Sequence, residues 1–359
     1  MIRFLAFYIL ISGFLCQSCS SSDNDEKPEP ETLKEFIRGT DLSFLPQIEV
    51  KNIEFTDNGE TMDVLNILKN HDVNTVRLRI WHTPSNQYSS FAEVKEFSNR
   101  IKSHGLKVWL TVHYSDTWAD PGNQILPQAW QNLNIETLKD SVYQYTEKII
   151  KEIQPEYIQI GNEINSGILF PHGERSSSKS QFITLLTRGI QAVRDNSPDT
   201  QIILHYAGID GADSFFNDLI VLNYDIIGLS YYPIWHGKDL NHLESMISLL
   251  QNQFNKQVLI AETAYPFTLD WNDWTNNIIG SEEQLILPEY PATPEGQKDF
   301  MLKIREITET TNALGFCYWG AEWVAFDGPQ SKKGSNWENQ ALFDFKNEVL
   351  PAIEAFQKI

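Results

Sequence analysis

Two glutamates stand at the ends of apolar runs that are far apart in the chain. The run Y-I-Q-I-G-N-E ends at Glu163, and the run Q-V-L-I-A-E ends at Glu262. Two carboxyl groups can hydrolyse a glycosidic bond when one protonates the leaving oxygen and the other attacks the anomeric carbon. A single glutamate at a strand end is generally a loop residue or a cap, but two in equivalent places favour paired chemistry. We therefore predict Glu163 as acid/base and Glu262 as nucleophile of a retaining mechanism.

The segment N-T-V-R-L-R-I-W supplies cations that could support these carboxylates. Its apolar residues alternate with Arg77 and Arg79, so packing of the apolar face against outer helices turns both arginines inward. Arg79 is nearer the end of the run, and we predict that it keeps Glu262 ionised by lowering its pKa. The alternative is that both arginines form only structural ion pairs inside the fold.

Other polar residues follow the same kind of run. Tyr231 is predicted to donate its hydroxyl to the nucleophile, and Asn162 to hydrogen-bond a sugar 2-hydroxyl. His113 is assigned to a sugar hydroxyl or a buried hydrogen bond, since two carboxyl groups already account for proton transfer. Several tryptophans near run ends could stack on sugar rings. The complete set of predicted substrate contacts is Asp41, Arg79, His113, Asp116, Trp118, Asn162, Tyr231, Trp235 and Trp319.

Eight strand-like runs must position these side chains. They cover residues 36–43, 74–81, 106–114, 157–163, 200–207, 225–232, 257–264 and 314–319. Stretches with helical periodicity separate them, and strands that alternate with helices form parallel βαβ units. Eight such units predict an α/β fold of the (β/α)8 TIM-barrel type, whose active sites lie at the carboxyl ends of the strands. An open doubly wound sheet is the alternative, but T-D-L-S-F-L after the first run lacks the glycine-rich turn expected there.

The charge of the chain restricts its partners. With 48 acidic and 28 basic residues the formal net charge is −20, which disfavours nucleic acid and polyanionic substrates and favours a neutral glycan. Cys317 is the only cysteine after residue 19, so the mature chain has no disulfide or thiolate metal cluster of its own.

The amino terminus is typical of export. Arg3 precedes a short apolar stretch, and Cys19 follows Ser18 and precedes an acidic, serine-rich segment. This pattern resembles a surface-exported lipoprotein of the Bacteroidetes type. We predict a signal peptide at 1–18, a tether at 19–35 and a catalytic domain at 36–359. In this interpretation the lipid on Cys19 anchors a monomer to the outer membrane; ordinary secretion is the alternative.

Several segments together resemble a known family. They are G-T-D-L-S-F-L, V-R-L-R-I-W, H-Y-S-D-T-W-A-D-P-G-N-Q, G-N-E-I-N-S-G, L-S-Y-Y-P-I-W-H-G, A-E-T-A-Y-P-F and W-E-N-Q-A-L-F-D-F, within residues 39–345. The chain is similar to the endo-β-1,4-galactanases of glycoside hydrolase family 53. The resemblance implies the same roles for Glu163 and Glu262, and β-1,4-galactan as the substrate.

Some members of that family hold a structural calcium between the loops after strands seven and eight. The oxygen donors available in this sequence are Asp270, Asp273, Asn277, Ser335 and Glu338, whereas Trp271 stands where those members have an acidic residue. A solvated polar loop is the alternative, and no cofactor is expected in catalysis. Another retaining endo-glycanase, such as a mannanase or endoglucanase, and a non-catalytic glycan-binding protein are the alternative functions. A metal-dependent esterase would need a histidine–aspartate cluster that the sequence lacks.

Overall fold

The computed structural model describes residues 35–358. Eight parallel strands close into a barrel, in which the first strand pairs with both the second and the eighth. The strands are β1 (Ile37–Asp41), β2 (Thr75–Ile80), β3 (Lys107–Val112), β4 (Tyr157–Ile160), β5 (Gln201–Ala207), β6 (Ile226–Ser230), β7 (Gln257–Thr263) and β8 (Gly315–Tyr318). Each lies within one of the eight predicted runs, so the TIM-barrel prediction is confirmed.

Helices connect successive strands, as parallel pairing requires. They are α1 (Leu45–Glu49), α2 (Val64–Asn70), α3 (Phe91–Ser103), α4 (Ile135–Ile153), α5 (Arg175–Asn196), α6 (Ala212–Asp218), α7 (Pro233–His236), α8 (Leu240–Phe254) and α9 (Pro294–Thr310). Short 3₁₀ segments cover Gln128–Trp130, Ile164–Ser166, Glu282–Gln284, Glu338–Gln340 and Pro351–Phe356. Two small antiparallel hairpins pair Phe55–Asp57 with Glu60–Met62 and Gly167–Ile168 with Gly173–Glu174.

The barrel interior is apolar at one end and polar at the other. A separate cluster of buried side chains includes Ile37, Trp109, Tyr157 and Ile226, three of which are the first residues of their strands. This cluster therefore fills the amino-terminal half of the barrel. The guanidinium of Arg77 lies 5.4 Å from the centroid of the Trp109 ring, where the polar half begins. The side chains that do chemistry thus rest on a packed apolar layer.

Strand β7 contains one extra residue near its carboxyl end. Leu229 of β6 pairs with Ile260, but the next residue, Ser230, pairs with Glu262, so Ala261 is a β-bulge. In a regular strand Glu262 would share the face of Ile260, which packs in the cluster between barrel and helices. The bulge instead turns Glu262 toward the barrel interior.

The predicted signal peptide, the anchor at Cys19 and nearly all of the tether lie outside the described residues, and the predicted domain boundaries stay predictions. Within residues 35–358, no helix combines the length and apolar character needed to span a membrane. Cys317 is a buried free thiol at the centre of β8.

Candidate active site

A cleft with a cavity volume of about 520 Å³ opens at the carboxyl ends of the strands. Its lining residues are Asp41, Ser43, Arg77, Arg79, His113, Trp118, Ala119, Asp120, Pro121, Asn162, Glu163, Ala207, Tyr232, Trp235, His236, Glu262, Ile278, Trp319, Trp323, Asn336 and Trp337. Both predicted catalytic glutamates are among them, with seven of the nine predicted substrate contacts. The structure thus brings together residues that are more than 270 positions apart.

Glu163 lies where the chain leaves β4 and turns into a 3₁₀ segment. Its φ of 46° is in the left-handed region, and Gly161 just before it has φ 85°. The carboxylate Oε1 accepts a hydrogen bond of 2.6 Å from Ser230 Oγ. Burial, with the negative charge of Glu262 beside it, raises the pKa of Glu163 to about 8. Glu163 is therefore protonated at neutral pH, as a general acid must be.

Glu262 accepts hydrogen bonds on both carboxylate oxygens. Arg77 Nη2 donates to Oε1 at 2.6 Å, and the Tyr232 hydroxyl donates to Oε2 at 3.0 Å. Burial raises the pKa of Glu262, and the Arg77 guanidinium opposes that rise. Among residues 35–358 no cation hydrogen-bonds to the Glu163 carboxylate, so the proton shared by this pair resides on Glu163 and the charge on Glu262.

The cation that holds Glu262 is Arg77, which corrects the prediction for Arg79. Arg77 also donates to Asp41 at 2.7 Å and to Asn162 Oδ1 at 3.0 Å. Arg77 lies two residues before Arg79 in β2, farther from the carboxyl end of the strand, and its long side chain extends toward that end to reach Asp41 and Glu262. Arg79 starts at the carboxyl end of the strand, so a side chain of the same length extends beyond the two carboxylates.

Arg79 is instead enclosed by aromatic rings. Its guanidinium carbon lies 4.0 Å from the Phe44 centroid and 4.3 Å from the Trp118 centroid, and its Nε donates to Ser89 Oγ. Burial lowers the pKa of Arg79 to about 10, so it remains charged. Its predicted contact with substrate stays a prediction, supported by its place in the cleft wall.

The tyrosine that contacts the nucleophile is Tyr232, not Tyr231 as predicted. Tyr231 donates to Gly237 O at 2.8 Å and does not line the cleft, whereas Tyr232 does. Residues of β6 alternate, so Tyr231 continues the outward face of Leu229 whereas Tyr232 continues the inward face of Ser230. The segment L-S-Y-Y does not reveal which face is inward.

Asn162 and His113 lie in the cleft, and the two amide atoms of Asn162 and one ring nitrogen of His113 have protein partners. Asn162 Oδ1 accepts from Arg77, and its Nδ2 donates to Ala119 O at 2.8 Å. His113 Nδ1 accepts from Ala119 N at 3.0 Å, and burial holds the His113 pKa well below its usual value. Neutral His113 therefore braces the loop after β3, and its second nitrogen and the Asn162 amide remain predicted sugar contacts.

The two glutamates are close enough for a shared reaction. One carboxylate oxygen of each, together with a ring nitrogen of His205, lie within 4.8 Å of one another. Retaining glycosidases have carboxyl groups about 5–5.5 Å apart, and inverting ones need a wider gap for water. The Arg77 guanidinium already neutralises Glu262, which makes the cluster a poor site for a metal ion.

Comparison with known proteins agrees with this geometry. The profile described as Glycosyl hydrolase family 53 matches residues 37–356. The chain belongs to glycosyl hydrolase family 53. It is 36% identical over 344 residues to the arabinogalactan endo-beta-1,4-galactanase of Cellvibrio japonicus, covering 90% of each chain. It is also 32% identical to the endo-beta-1,4-galactanase of Bacillus subtilis, covering 90% of this chain and 86% of the relative.

Solved structures are similar over the same region. The GH53 catalytic domain of Ignisphaera aggregans is 36% identical, with a TM-score of 0.83 over 91% of this chain and 97% of that one. One of two fungal beta-1,4-galactanases is 27% identical, with a TM-score of 0.77 over 90% and 99%. The protein is therefore a glycosidase, and glycosidases of family 53 need no cofactor for catalysis.

Aromatic side chains form much of the cleft wall of this family 53 enzyme. The predicted contacts Trp118, Trp235 and Trp319 all line it, and Trp323 and Trp337 join them. Trp235 is 53% exposed and lies nearly parallel to Trp337, with 6.3 Å between ring centroids. A flat, exposed ring such as that of Trp235 stacks on a sugar face, and the buried Trp337 ring supports it from behind. The sequence analysis did not select Trp337, although it opens the segment W-E-N-Q.

Asp116 is a correction among the predicted contacts. It does not line the cleft; its Oδ1 accepts from Thr83 N at 2.9 Å and its Oδ2 from Gln128 N at 2.8 Å. A short acidic side chain that caps two backbone amides stabilises loops. Asp116 therefore shapes the loop that carries Trp118.

The predicted calcium donors gather between the loops after β7 and β8. Glu338 Oε1 accepts from Asn272 N, Asp273 Oδ1 accepts from Thr275 N, and Ser335 Oγ donates to Trp323 O. Burial beside Asp273 raises the pKa of Glu338. Asp270 contributes its backbone carbonyl, which accepts from Asn277 Nδ2 at 3.3 Å.

Proposed function

We propose that this protein is an endo-acting, retaining hydrolase of the β-1,4-galactosidic bonds of pectic galactan. The observation that carries the proposal is the close pair of a proton-bearing Glu163 and an ionised Glu262. The named activity of the family 53 relatives supports galactan as the substrate. The five tryptophans that line the cleft support binding along a chain of sugars rather than at its tip.

In the first chemical step the two glutamates act together. Arg77 and Tyr232 hold the Glu262 carboxylate, which attacks the anomeric carbon as the bond to the leaving oxygen breaks. Glu163 gives its proton to that oxygen. A covalent glycosyl ester on Glu262 and a free sugar hydroxyl result.

The second step reverses the role of Glu163. Once Glu262 is an ester, the negative charge that raised the pKa of Glu163 is gone. The pKa of Glu163 then falls and its carboxylate can take a proton from water. The oxygen of this water attacks the anomeric carbon, the bond between that carbon and Glu262 breaks, and its electron pair returns to the Glu262 carboxylate.

Product analysis on linear β-1,4-galactan, mannan, xylan and cellulose tests the substrate. We expect galactan alone to be cut, with internal cleavage lowering its viscosity before much reducing sugar appears. Cleavage of mannan or cellulose instead would support another retaining endo-glycanase. Binding to a glycan with no products from any of them would support a non-catalytic protein.

We also propose a structural calcium at the loops after β7 and β8. Three buried side-chain oxygens, Asp273 Oδ2, Asn277 Oδ1 and Glu338 Oε2, have no hydrogen-bond partner among residues 35–358. Buried carboxylate and amide oxygens without donors are costly unless a cation binds them, and calcium prefers such ligands. Asp270 and Ser335 are the further donors in these loops. The ion would hold the two loops together beside Trp337.

Removing the metal should lower stability rather than chemistry. A chelator is expected to lower the Tm by about 5 °C or more, and added calcium should restore it, because binding to the folded state alone stabilises that state. Asp273→Asn should abolish the calcium-dependent rise, whereas Asp299→Asn, an exposed change on α9, should keep it. A Tm of the wild type that ignores both chelator and calcium would contradict this site.

We further propose that the chain is exported and anchored as a monomer to the outer membrane through Cys19. The sequence S-C followed by an acidic, serine-rich segment supports this assignment. Cys19→Ala should abolish incorporation of radioactive fatty acid and release the enzyme, whereas Cys16→Ala should keep both label and anchor. Undiminished labelling of Cys19→Ala would place the lipid elsewhere.

A further inference from the structure

A hydrogen-bond chain reaches the acid/base from two neighbouring strands. Ser230 at the end of β6 lies with its Oγ 2.6 Å from Glu163 Oε1. His205 on β5 lies with its Nε2 2.9 Å from the same Oγ. Both side chains are fully buried, and the two-glutamate mechanism does not use either of them.

The direction of this chain is fixed by the partners of His205. Gln159 Nε2 lies 2.7 Å from His205 Nδ1, and the same Nε2 donates to Gly161 O, which can only accept. The backbone N–H of Glu163 also donates to Nδ1, at 3.3 Å. Asn162 Oδ1 also lies 3.2 Å from Nδ1, but that oxygen already accepts from Arg77 Nη2. The backbone N–H has a fixed direction and needs a lone pair on Nδ1, so Nδ1 is the acceptor and the proton of neutral His205 is on Nε2.

The tautomer of His205 sets the direction of the next two hydrogen bonds. His205 Nε2–H donates to Ser230 Oγ, so the hydroxyl hydrogen of Ser230 points at Glu163 Oε1. An oxygen that accepts this bond is the carbonyl oxygen of a protonated carboxyl, which leaves the acidic proton on Oε2. Within residues 35–358, no group hydrogen-bonds to Oε2.

We propose that His205 and Ser230 are positioning residues that confine the acidic proton of Glu163 to the oxygen that faces the leaving group. The inference rests on the proposed function, since it assigns a role within that reaction. In the same way the Ser230 hydroxyl stabilises the Glu163 carboxylate after the proton has left. The chain thus serves both the acid step and the base step.

The electrostatic surroundings support this role. Burial, Glu262 of β7 and Asp120 after β3 raise the pKa of Glu163, whereas Ser230 and Arg77 lower it. Tyr232 also faces Glu163, whose charge helps to raise the Tyr232 pKa. Around His205 lie Arg77, His113 and His236, and burial with these neighbours holds the His205 pKa well below its usual value. His205 therefore stays neutral and keeps its tautomer.

Substituting Ser230 tests the proposal through the pH profile of kcat/KM on galactan. The alkaline limb reports loss of the Glu163 proton. Ser230→Ala removes a donor to the carboxylate, so the Glu163 pKa rises and the limb should move up by about one pH unit. Ser230→Thr keeps the hydroxyl, so its alkaline limb should lie at the wild-type pH. Ser230→Cys, with a weaker donor of similar size, should move it upward by less.

A leaving-group comparison separates proton transfer from a general structural effect. With a dinitrophenyl β-galactoside, whose leaving group needs no proton, Ser230→Ala should retain kcat/KM within about two-fold, whereas on galactan it should lose about ten-fold. Ser98→Ala is the matched control, because Ser98 is buried in α3 and its hydroxyl has no hydrogen-bond partner in the part of the chain that the structure describes. Ser98→Ala should change neither the alkaline limb of kcat/KM nor the ratio of the activities on galactan and on the dinitrophenyl galactoside.

The outcomes distinguish the two proposals. Wild-type enzyme without activity on galactan would overturn the proposed function. Active wild type together with an unmoved alkaline limb in folded Ser230→Ala and Ser230→Cys would overturn the positioning role alone. An equal loss on both substrates would also overturn it, since a structural defect does not depend on the leaving group.

Discussion

Replacing Glu262 with glycine should lower kcat/KM on galactan by about 10⁴-fold or more, the largest effect expected of any single change. The nucleophile forms the covalent bond of the reaction, and loss of such a residue removes the whole two-step route. Arg77 and Tyr232 would remain in place around the vacated volume. The measurement is steady-state hydrolysis at the optimum pH, with exposed Glu295→Gly of α9 as the control for expression and folding.

Added azide should separate the roles of the two glutamates. In Glu262→Gly, azide fills the space of the carboxylate and attacks the anomeric carbon of a dinitrophenyl galactoside, which yields the α-galactosyl azide. In Glu163→Gly, the ester on Glu262 still forms and azide then displaces it, which yields the β-galactosyl azide. The opposite pairing of variants and products would show that the two assignments are interchanged.

Arg77→Met should give the second-largest effect, on both activity and stability. Arg77 is fully buried between the carboxylates of Asp41 and Glu262, and its removal leaves buried negative charges without a partner. Breaking such a pair costs about 3–5 kcal/mol of unfolding free energy. Glu262 also loses the cation that lowers its pKa, so the acid limb of kcat/KM should move to higher pH.

Arg79→Met is the informative comparison for Arg77→Met. Arg79 has no carboxylate in salt-bridge contact among the described residues, and it lies against the rings of Phe44 and Trp118. We expect Arg79→Met to change KM while the acid limb keeps its position. Urea unfolding and pH profiles of both variants provide the measurement. If the acid limb moved in Arg79→Met and not in Arg77→Met, Arg79 would be the residue that lowers the Glu262 pKa, as predicted from the sequence.

The barrel was predictable because each parallel strand is a short buried run that any reader of the sequence can locate. Glu163 and Glu262 were found for the same reason, since both follow such runs. What could not be predicted was the reach of side chains across the barrel. Arg77 and Arg79 are the same residue type on the same face, and only the depth at which each side chain starts in the barrel decides which one meets Glu262.

Strand faces were a second limit. The choice between Tyr231 and Tyr232 depends on which residues of β6 point inward, and an apolar strand buried on both faces carries no alternation to reveal it. Ser230 and His205 escaped notice because their bond joins two strands, and small polar residues within buried runs have no individual signature. Asp116 was misplaced because a motif records that residues are near in sequence, not which way each one turns.

The bulge at Ala261 decides which way the nucleophile faces. Side chains in a strand alternate, so β7 at its present length turns Glu262 toward the barrel interior only while the bulge is kept. A change that favours regular pairing of all its residues would turn the nucleophile into the helical layer of a barrel that still folds. Loss of Ala261 itself would place Glu262 directly after Ile260, on the inward face and still opposite Ser230. Alignments of relatives can therefore contain a one-residue gap here without loss of the nucleophile.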